Sequence, residues 1–396
     1  MNLKFTFNDP KVTVVIACFV MACLAWGSVF YGHSVYLAAL SETGRWAIGQ
    51  ISVGILIFWL ASLPGTIFVG YLIDSKGASP VVLFGALCTS FSLIGIGSFE
   101  RLWLIYVSYG LMGFAYPALG AAGISATLSP WFSKNFGWAL GVALTGASVG
   151  GAIIPALLMY FINTNGFLVT MSACGTMIFV ILFLISRLLA CNTPCNSSSL
   201  NSSSILAGKL MEQKLFWRIS LSAALALGGQ VGFLAHQIPI ILQQATKVEA
   251  AITVSIVAIA AAVGRLIIAY LSRTISVTKL AAISYSIQGI GIGIVCNAES
   301  YSSLVVGCAV AGTVVGAIVM LSPLIVRQAF GLQNYGKNFA AVNVVLYVFA
   351  GISPWLVGQM YDATSSYFGG LTLLITMQVL ATILIFKPLK NDAISP

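Results

Sequence analysis

Ile48 to Phe99 reads IGQISVGILIFWLASLPGTIFVGYLIDSKGASPVVLFGALCTSFSLIGIGSF, and its only charges are Asp74 and Lys76, both in one short break. The uncharged run on each side is long enough to cross a hydrocarbon core of about 30 Å as a helix, which takes about 20 residues. A barrel strand would show about ten residues of apolar alternation, and these runs are longer and continuous. The stretch therefore reads as two membrane-spanning helices joined by a tight turn.

The same pattern recurs along the chain. Apolar runs fall at roughly 12–38, 48–73, 79–99, 102–128, 136–162, 166–190, 216–243, 250–272, 278–298, 301–326, 338–361 and 367–387, which makes twelve. The composition agrees: 59% hydrophobic and only 7% charged, where soluble domains carry about 25% charge. So few charges could not cover a water-facing surface of this size. The first run is too long for a signal peptide and is expected to be the first span. No soluble domain is expected at either end. The fold class is all-α integral membrane protein.

Basic residues set the orientation. With the N-terminus inside, Lys4, Lys11, Lys76, Lys134, Arg187, Lys209, Lys214, Arg218, Arg273, Lys279, Arg327, Lys337, Lys387 and Lys390 lie on the cytoplasmic side, against Arg45, Arg101 and Lys247 outside, a split of 14 to 3. Both termini are therefore expected in the cytoplasm. The net charge of +9 is this loop bias rather than a nucleic-acid surface, because the basic residues are scattered singly. Six of the eight cysteines lie in apolar segments and read as packing residues. Cys191 and Cys195 fall in a loop placed in the cytoplasm, where thiols stay reduced, and nothing nearby supplies further metal ligands.

The longest break, 191–214, is rich in Ser and Asn and reads as a flexible linker. It divides the chain into six-helix bundles at 1–190 and 215–396. The bundles resemble one another. Gly65–Gly77 (GTIFVGYLIDSKG) parallels GRLIIAYLSRTIS from Gly264. Lys134–Pro155 parallels Lys337–Pro354 with a gap of four, and Phe30 and His33 match Phe233 and His236. Several matches in one order favour internal duplication. The expected architecture is two pseudo-symmetric six-helix bundles.

The break in the opening stretch, Gly70-Tyr71-Leu72-Ile73-Asp74-Ser75-Lys76-Gly77, resembles the G-x-L-x-D-R-x-G signature of the major facilitator superfamily. Ala78-Ser79 stands where that signature has a basic pair. The resemblance implies a gating role for Gly70, Asp74, Lys76 and Gly77: glycines allow close helix approach, and an acid beside a helix end meets neighbouring dipoles. Within the superfamily, the chain is similar to the monocarboxylate transporters and their bacterial relatives, the oxalate–formate exchangers. Trp131-Phe132-Ser133-Lys134, followed by Gly137, Ala139, Gly141, Gly146, Gly150 and Pro155, resembles their entry to helix 5, although Asn135-Phe136 replaces a basic pair. Ala262-Val263-Gly264-Arg265-Leu266 resembles their helix 8, where the family's arginine binds the substrate carboxylate. Helix 11 lacks the second intramembrane cation of the oxalate exchanger, and one deep cation suits a monoanion. Helix 4 lacks the buried arginine common in proton-coupled drug exporters.

Arg265 is the strongest residue-level clue. It lies about 10 Å from the inner end of its helix at 1.5 Å per residue. An arginine at mid-helix costs at least about 2.5 kcal/mol on insertion scales, so a functional or structural use is expected. Ala258, Ala261, Ala262 and Gly264 leave space around it. A guanidinium pairs with a carboxylate through two parallel hydrogen bonds; the plainer reading is that it snorkels to the headgroups. Nine acids occur, and those placed by the spans fall near their ends, so an anionic substrate would bring the opposite charge into the membrane.

His33 and His236, the only histidines, are candidates for substrate contact and for proton coupling; each could equally be a neutral ring satisfied by a neighbouring helix. Tyr116 precedes Pro117 where a helix break can line a cavity. Asn343 and Tyr347 share a helix face, and Gln230 and Gln237 offer further polar contacts. These could instead be interhelical glue. The helix 5 glycines read as close packing.

No nucleophile–base pair, phosphate loop or metal cluster is visible, so neither enzyme activity nor ATP drive is expected, and no cofactor is implied. The expected function is secondary active transport of a small organic anion, most simply a monocarboxylate, with a proton, by alternating access through a central cavity. The expected protein is a monomer in a bilayer, with a bacterial inner membrane as its location. The alternatives are export or exchange of other small solutes on the same fold and, remotely, a transporter-derived sensor.

Overall fold

The computed structural model describes residues 10–132, 135–191, 212–331 and 335–386. Most of the 191–214 linker, and Lys4, Lys134, Lys209, Lys387 and Lys390, lie outside the described residues. All regular structure among the described residues is helical. Among the described residues, twelve helical stretches are long and apolar enough to cross a membrane, by length and composition.

The first span is α1 (Pro10–Leu24), a π-helical turn (Ala25–Phe30) and α2 (Gly32–Glu42). Spans two and three are α3 (Ile48–Lys76) and α4 (Ala78–Ser98). Span four is broken into α5 (Leu102–Leu119) and α6 (Ala121–Leu128). Spans five to nine are α7 (Phe136–Asn165), α8 (Phe167–Cys191), α9 (Lys214–Ile241), α10 (Lys247–Leu271) and α11 (Val277–Cys296). Span ten is broken into α12 (Tyr301–Gly312) and α13 (Val315–Phe330). Spans eleven and twelve are α14 (Tyr335–Thr364) and α15 (Phe368–Phe386).

The chain divides into two compact units, Met1–Ala39 with Leu60–Asn201 and Leu40–Trp59 with Ser202–Pro396. In the first unit, the glycines of α7 admit the first span. A Cβ at Gly146 would meet the carbonyl of Phe19, one at Gly150 the carbonyl of Cys23, and one at Gly151 the ring of Tyr31. A Cβ at Gly137 or Gly141 would have nothing within 4 Å, so close packing explains only part of that glycine series. The π-helical turn follows the Phe19 and Cys23 contacts in the first span. Its hydrogen bond runs five residues back, from Tyr31 N to Trp26 O at 2.8 Å. Ser28 donates to Leu24 O, and Tyr36 donates to Ser28 O.

Pro117 lies near the end of α5, two residues before the helix stops. Its missing N–H leaves the carbonyl four residues earlier, that of Gly113, without its helical partner. Ser62 of α3 donates to that oxygen at 3.0 Å. The helix stops at Leu119 and restarts after Gly120.

In the second unit, polar ties join helices whose apolar surfaces alone would not fix their register. Gln378 of α15 donates to Gln288 Oε1 of α11 at 2.7 Å and to Ala226 O of α9 at 3.0 Å. Ser222 of α9 donates to Ala381 O of α15 at 2.7 Å. Thr246 and Glu249 cap α10 reciprocally.

Candidate functional site around Arg265

Arg265 lies in α10, on a helix whose buried face is Val257, Ala258, Ala261, Gly264 and Ile268. That face meets span ten at its interruption. A Cβ at Gly312, the end of α12, would lie 3.0 Å from both Cα and O of Val257. A Cβ at Gly264 would run into the carbonyl of Thr313. A Cβ at Gly316 would lie 2.8 Å from Ala261 O, 2.8 Å from Arg265 Nε and 3.1 Å from Nη2. Three glycines therefore bring two backbones together, and the guanidinium of Arg265 lies across the last of them.

Gly316 is the second residue of α13, whose N-cap is Val314. The first N–H groups of a helix have no partner within it and carry partial positive charge. The half-buried Arg265 thus adds a full positive charge beside the start of a mid-span helix. Such an arrangement favours a negatively charged ligand and is suited to a carboxylate.

His236 is fully buried on α9. Its Nε2 lies 2.8 Å from Pro354 O of α14, and its Nδ1 lies 3.5 Å from Tyr367 Oη. A carbonyl only accepts, so Nε2 carries the hydrogen and Nδ1 is left to accept from the phenol. Burial, then Tyr361 and Asp362, push the Tyr367 hydroxyl pKa up, which keeps that donor protonated. The ring is therefore an interhelical tie. Gln237, also buried, has its side chain at the Cys308 thiol of α12. Gln230 is fully buried, and its amide atoms lack partners among the described residues. Asn343 and Tyr347 are half-buried on α14, with the Tyr347 ring 5.1 Å from that of Trp59.

His33 and Tyr116 belong to the first unit. The His33 ring stacks on Tyr109 at 5.6 Å, and Tyr116 meets Trp26 edge-on at 6.0 Å. The two histidines, matched in sequence, thus have different neighbours. Asp74 and Lys76 are exposed at the end of α3. Gly77 has φ +79°, a backbone that favours glycine. A Cβ at Gly70 would have nothing within 4 Å, so close approach is not what that glycine provides here.

Three features went unread in the sequence. The 301–326 run is interrupted at Thr313 and Val314, although Gly312-Thr313 was a visible cue. Gly316 lies beside the Arg265 guanidinium. Asp362, in the sequence one of nine acids, accepts hydrogen bonds from Ile48 N at 3.1 Å and Gly49 N at 2.8 Å, more than 300 residues away. No group of three or more His, Cys, Asp or Glu that could hold a metal occurs among the described residues.

Residues 14–354 match the family model of the Major Facilitator Superfamily. Monocarboxylate transporter 13 of Rattus norvegicus is 23% identical over 377 residues, covering 89% of this chain and 83% of the relative. Monocarboxylate transporter 11 of Mus musculus is 25% identical over 323 residues, covering 76% and 70%. A shorter stretch of 111 residues is 32% identical to the fujikurins efflux protein of Gibberella fujikuroi, covering 28% of this chain and 23% of that one. The fold is similar to the crystal structure of a bacterial homologue of the human lysosomal transporter Spinster, with a TM-score of 0.70, 14% identity, and 96% and 97% of the two chains covered. The chain belongs to the major facilitator superfamily, whose members here are transporters rather than enzymes.

Proposed function

We propose that this major facilitator protein is a secondary transporter that moves a small organic anion, a monocarboxylate, together with a proton by alternating access. The observation that carries the proposal is the seat of Arg265: a guanidinium at mid-span, against the first turn of α13. The similarity to monocarboxylate transporters, over 89% and 76% of this chain, supports the substrate class.

In this reading the substrate carboxylate takes two parallel hydrogen bonds from the Arg265 fork. Neutralising that charge lowers the cost of carrying it through the conformational change. A monoanion moved with one proton crosses without net charge and does no work against the membrane potential. The proton is assigned to a histidine, His33 or His236. His236 can gain a proton at Nδ1 only by turning Tyr367 from donor to acceptor, which its hydroxyl permits. Gln237, Asn343, Tyr347 and Tyr116 are proposed as further substrate contacts. Gly70, Asp74, Lys76 and Gly77 are proposed as parts of the conformational gate.

The bundles 1–190 and 215–396, joined by the 191–214 linker, are proposed as the moving halves of a monomer. Both termini are proposed to lie in the cytoplasm, from the basic-residue bias, and a bacterial inner membrane is proposed as the location from the short loops and the family resemblance. A second reading, export of another small organic solute, is favoured by the partial similarity to the fujikurins efflux protein.

Purified protein in liposomes tests the choice. Radiolabelled lactate, pyruvate and acetate should enter faster under an inward proton gradient, and an imposed potential alone should change little. Uptake driven by potential but not by the proton gradient would contradict electroneutral symport. Absence of uptake of all three would favour the export reading.

A further inference from the structure

Gly316 is the point at which three demands meet. It sits in the first turn of α13. It faces the backbone carbonyl of Ala261 one turn before Arg265, and its missing side chain leaves the space where Arg265 Nε and Nη2 lie. Gly312, four residues earlier, makes a similar backbone contact, but with Val257 alone. The seam between α10 and span ten therefore has two glycines, Gly264 and Gly312, that only let backbones approach, and a third, Gly316, beside which the guanidinium lies.

We propose that Gly316 is the positioning residue for Arg265: it fixes how far the guanidinium reaches and which way its plane faces, and so sets the affinity for the carboxylate. The inference rests on the reading of Arg265 as the carboxylate-binding residue. The physical reason is that a guanidinium pairs with a carboxylate through two coplanar bonds. Both are lost when the plane turns, even though the charge stays. A methyl group 2.8 Å from Nε cannot be accommodated unless the guanidinium moves. A single point charge on a flexible stem, as in lysine, has no such plane to turn.

The test is a set of variants in liposomes, read by initial rates of labelled lactate, pyruvate and acetate uptake. Gly316→Ala should raise KM about tenfold, the size expected for one lost hydrogen bond to a charged group, with the maximal rate changed by less than about twofold. Gly312→Ala, which disturbs the same seam away from the arginine, should leave KM within about twofold. In an Arg265→Lys background, Gly316→Ala should produce no further rise, a non-additivity that a general spreading of the helices would not give.

Equal KM effects of Gly312→Ala and Gly316→Ala, or additive effects in the lysine background, would overturn the inference. Arg265→Ala that abolishes uptake while Gly316→Ala leaves KM unchanged defeats the inference alone. Unchanged uptake by Arg265→Ala defeats the functional reading itself. Should Gly316→Ala fail to assemble, assembly of the Gly316→Ala, Arg265→Lys double variant would support the coupling, and failure of both would reduce Gly316 to backbone packing. The rate at which phenylglyoxal modifies Arg265, followed by mass spectrometry, needs no substrate. It should change severalfold in Gly316→Ala and stay unchanged in Gly312→Ala; no change in either contradicts the proposal.

Discussion

The carboxylate of Asp362 accepts the backbone N–H of Gly49 at 2.8 Å, and its other oxygen accepts that of Ile48 at 3.1 Å. The two N–H groups open α3, so an acid at the far end of α14 caps a helix from the start of the chain. Glycine makes the approach possible: a Cβ at Gly49 would lie 2.6 Å from Asp362 Oδ2, and one at Gly358 would lie 2.8 Å from Gly49 Cα. Removing a helix cap typically weakens a fold measurably. Asp362→Ala is expected to lower the thermal unfolding midpoint of detergent-solubilised protein by a few degrees, and Asp362→Asn, which keeps one acceptor, by less. Equal midpoints for the native protein and both variants would remove this contact from the account.

Ser62 and Gly113 give a second, smaller test. The Ser62 hydroxyl occupies the carbonyl that Pro117 leaves open. Ser62→Ala should cost about 0.6 kcal/mol, the average for hydrogen bonds between membrane helices. In a Pro117→Ala background the helix can supply its own donor, and the same substitution should cost less. A larger cost in that background would contradict the view that Ser62 stands in for the donor that Pro117 lacks.

His236 is expected to behave as a structural tie as well as a candidate proton carrier. His236→Phe keeps an aromatic ring, though a larger one, and loses the bond to Pro354 O. It should destabilise the protein by about 1 kcal/mol. If His236 also carries the proton, the gradient stimulation of uptake should vanish while counterflow of substrate persists. Stimulation retained in His236→Phe but lost in His33→Phe would move the proton to the first unit.

The glycines of α7 separate by contact. Gly146→Val would place a side chain on the carbonyl of Phe19 and should sharply reduce the amount of folded protein, whereas Gly141→Val meets open space and should be tolerated. Fluorescence-detected size exclusion would compare them directly. Similar profiles for the two variants would mean that α7 and the first span do not depend on this fit.

The features readable from the sequence were those that depend on local composition. Twelve spans follow from the length and continuity of apolar runs, because a bilayer demands the same local property of every crossing segment. Arg265 stood out for the same reason, as a lone charge inside such a run. The breaks at Tyr31, Gly120 and Thr313 were not visible to that measure, since glycine, threonine and tyrosine barely lower the hydropathy of a window. Gly316 and Asp362 depend on distant partners: a glycine signals that something comes close but not what, and an acid at a helix end does not name the helix it will cap. Gly70 shows the converse, since its place in a familiar motif implied a close approach that its surroundings do not contain.

The proposed function turns on the guanidinium of Arg265 binding the carboxylate of the substrate. It is tested most directly by uptake of radiolabelled lactate, pyruvate and acetate into liposomes under an inward proton gradient, for the native protein and Arg265→Lys at equal density. The account predicts gradient-stimulated uptake by the native protein and at least about a tenfold loss in the lysine variant, which keeps the charge but not the fork. Native uptake that Arg265→Lys reproduces in full would contradict it.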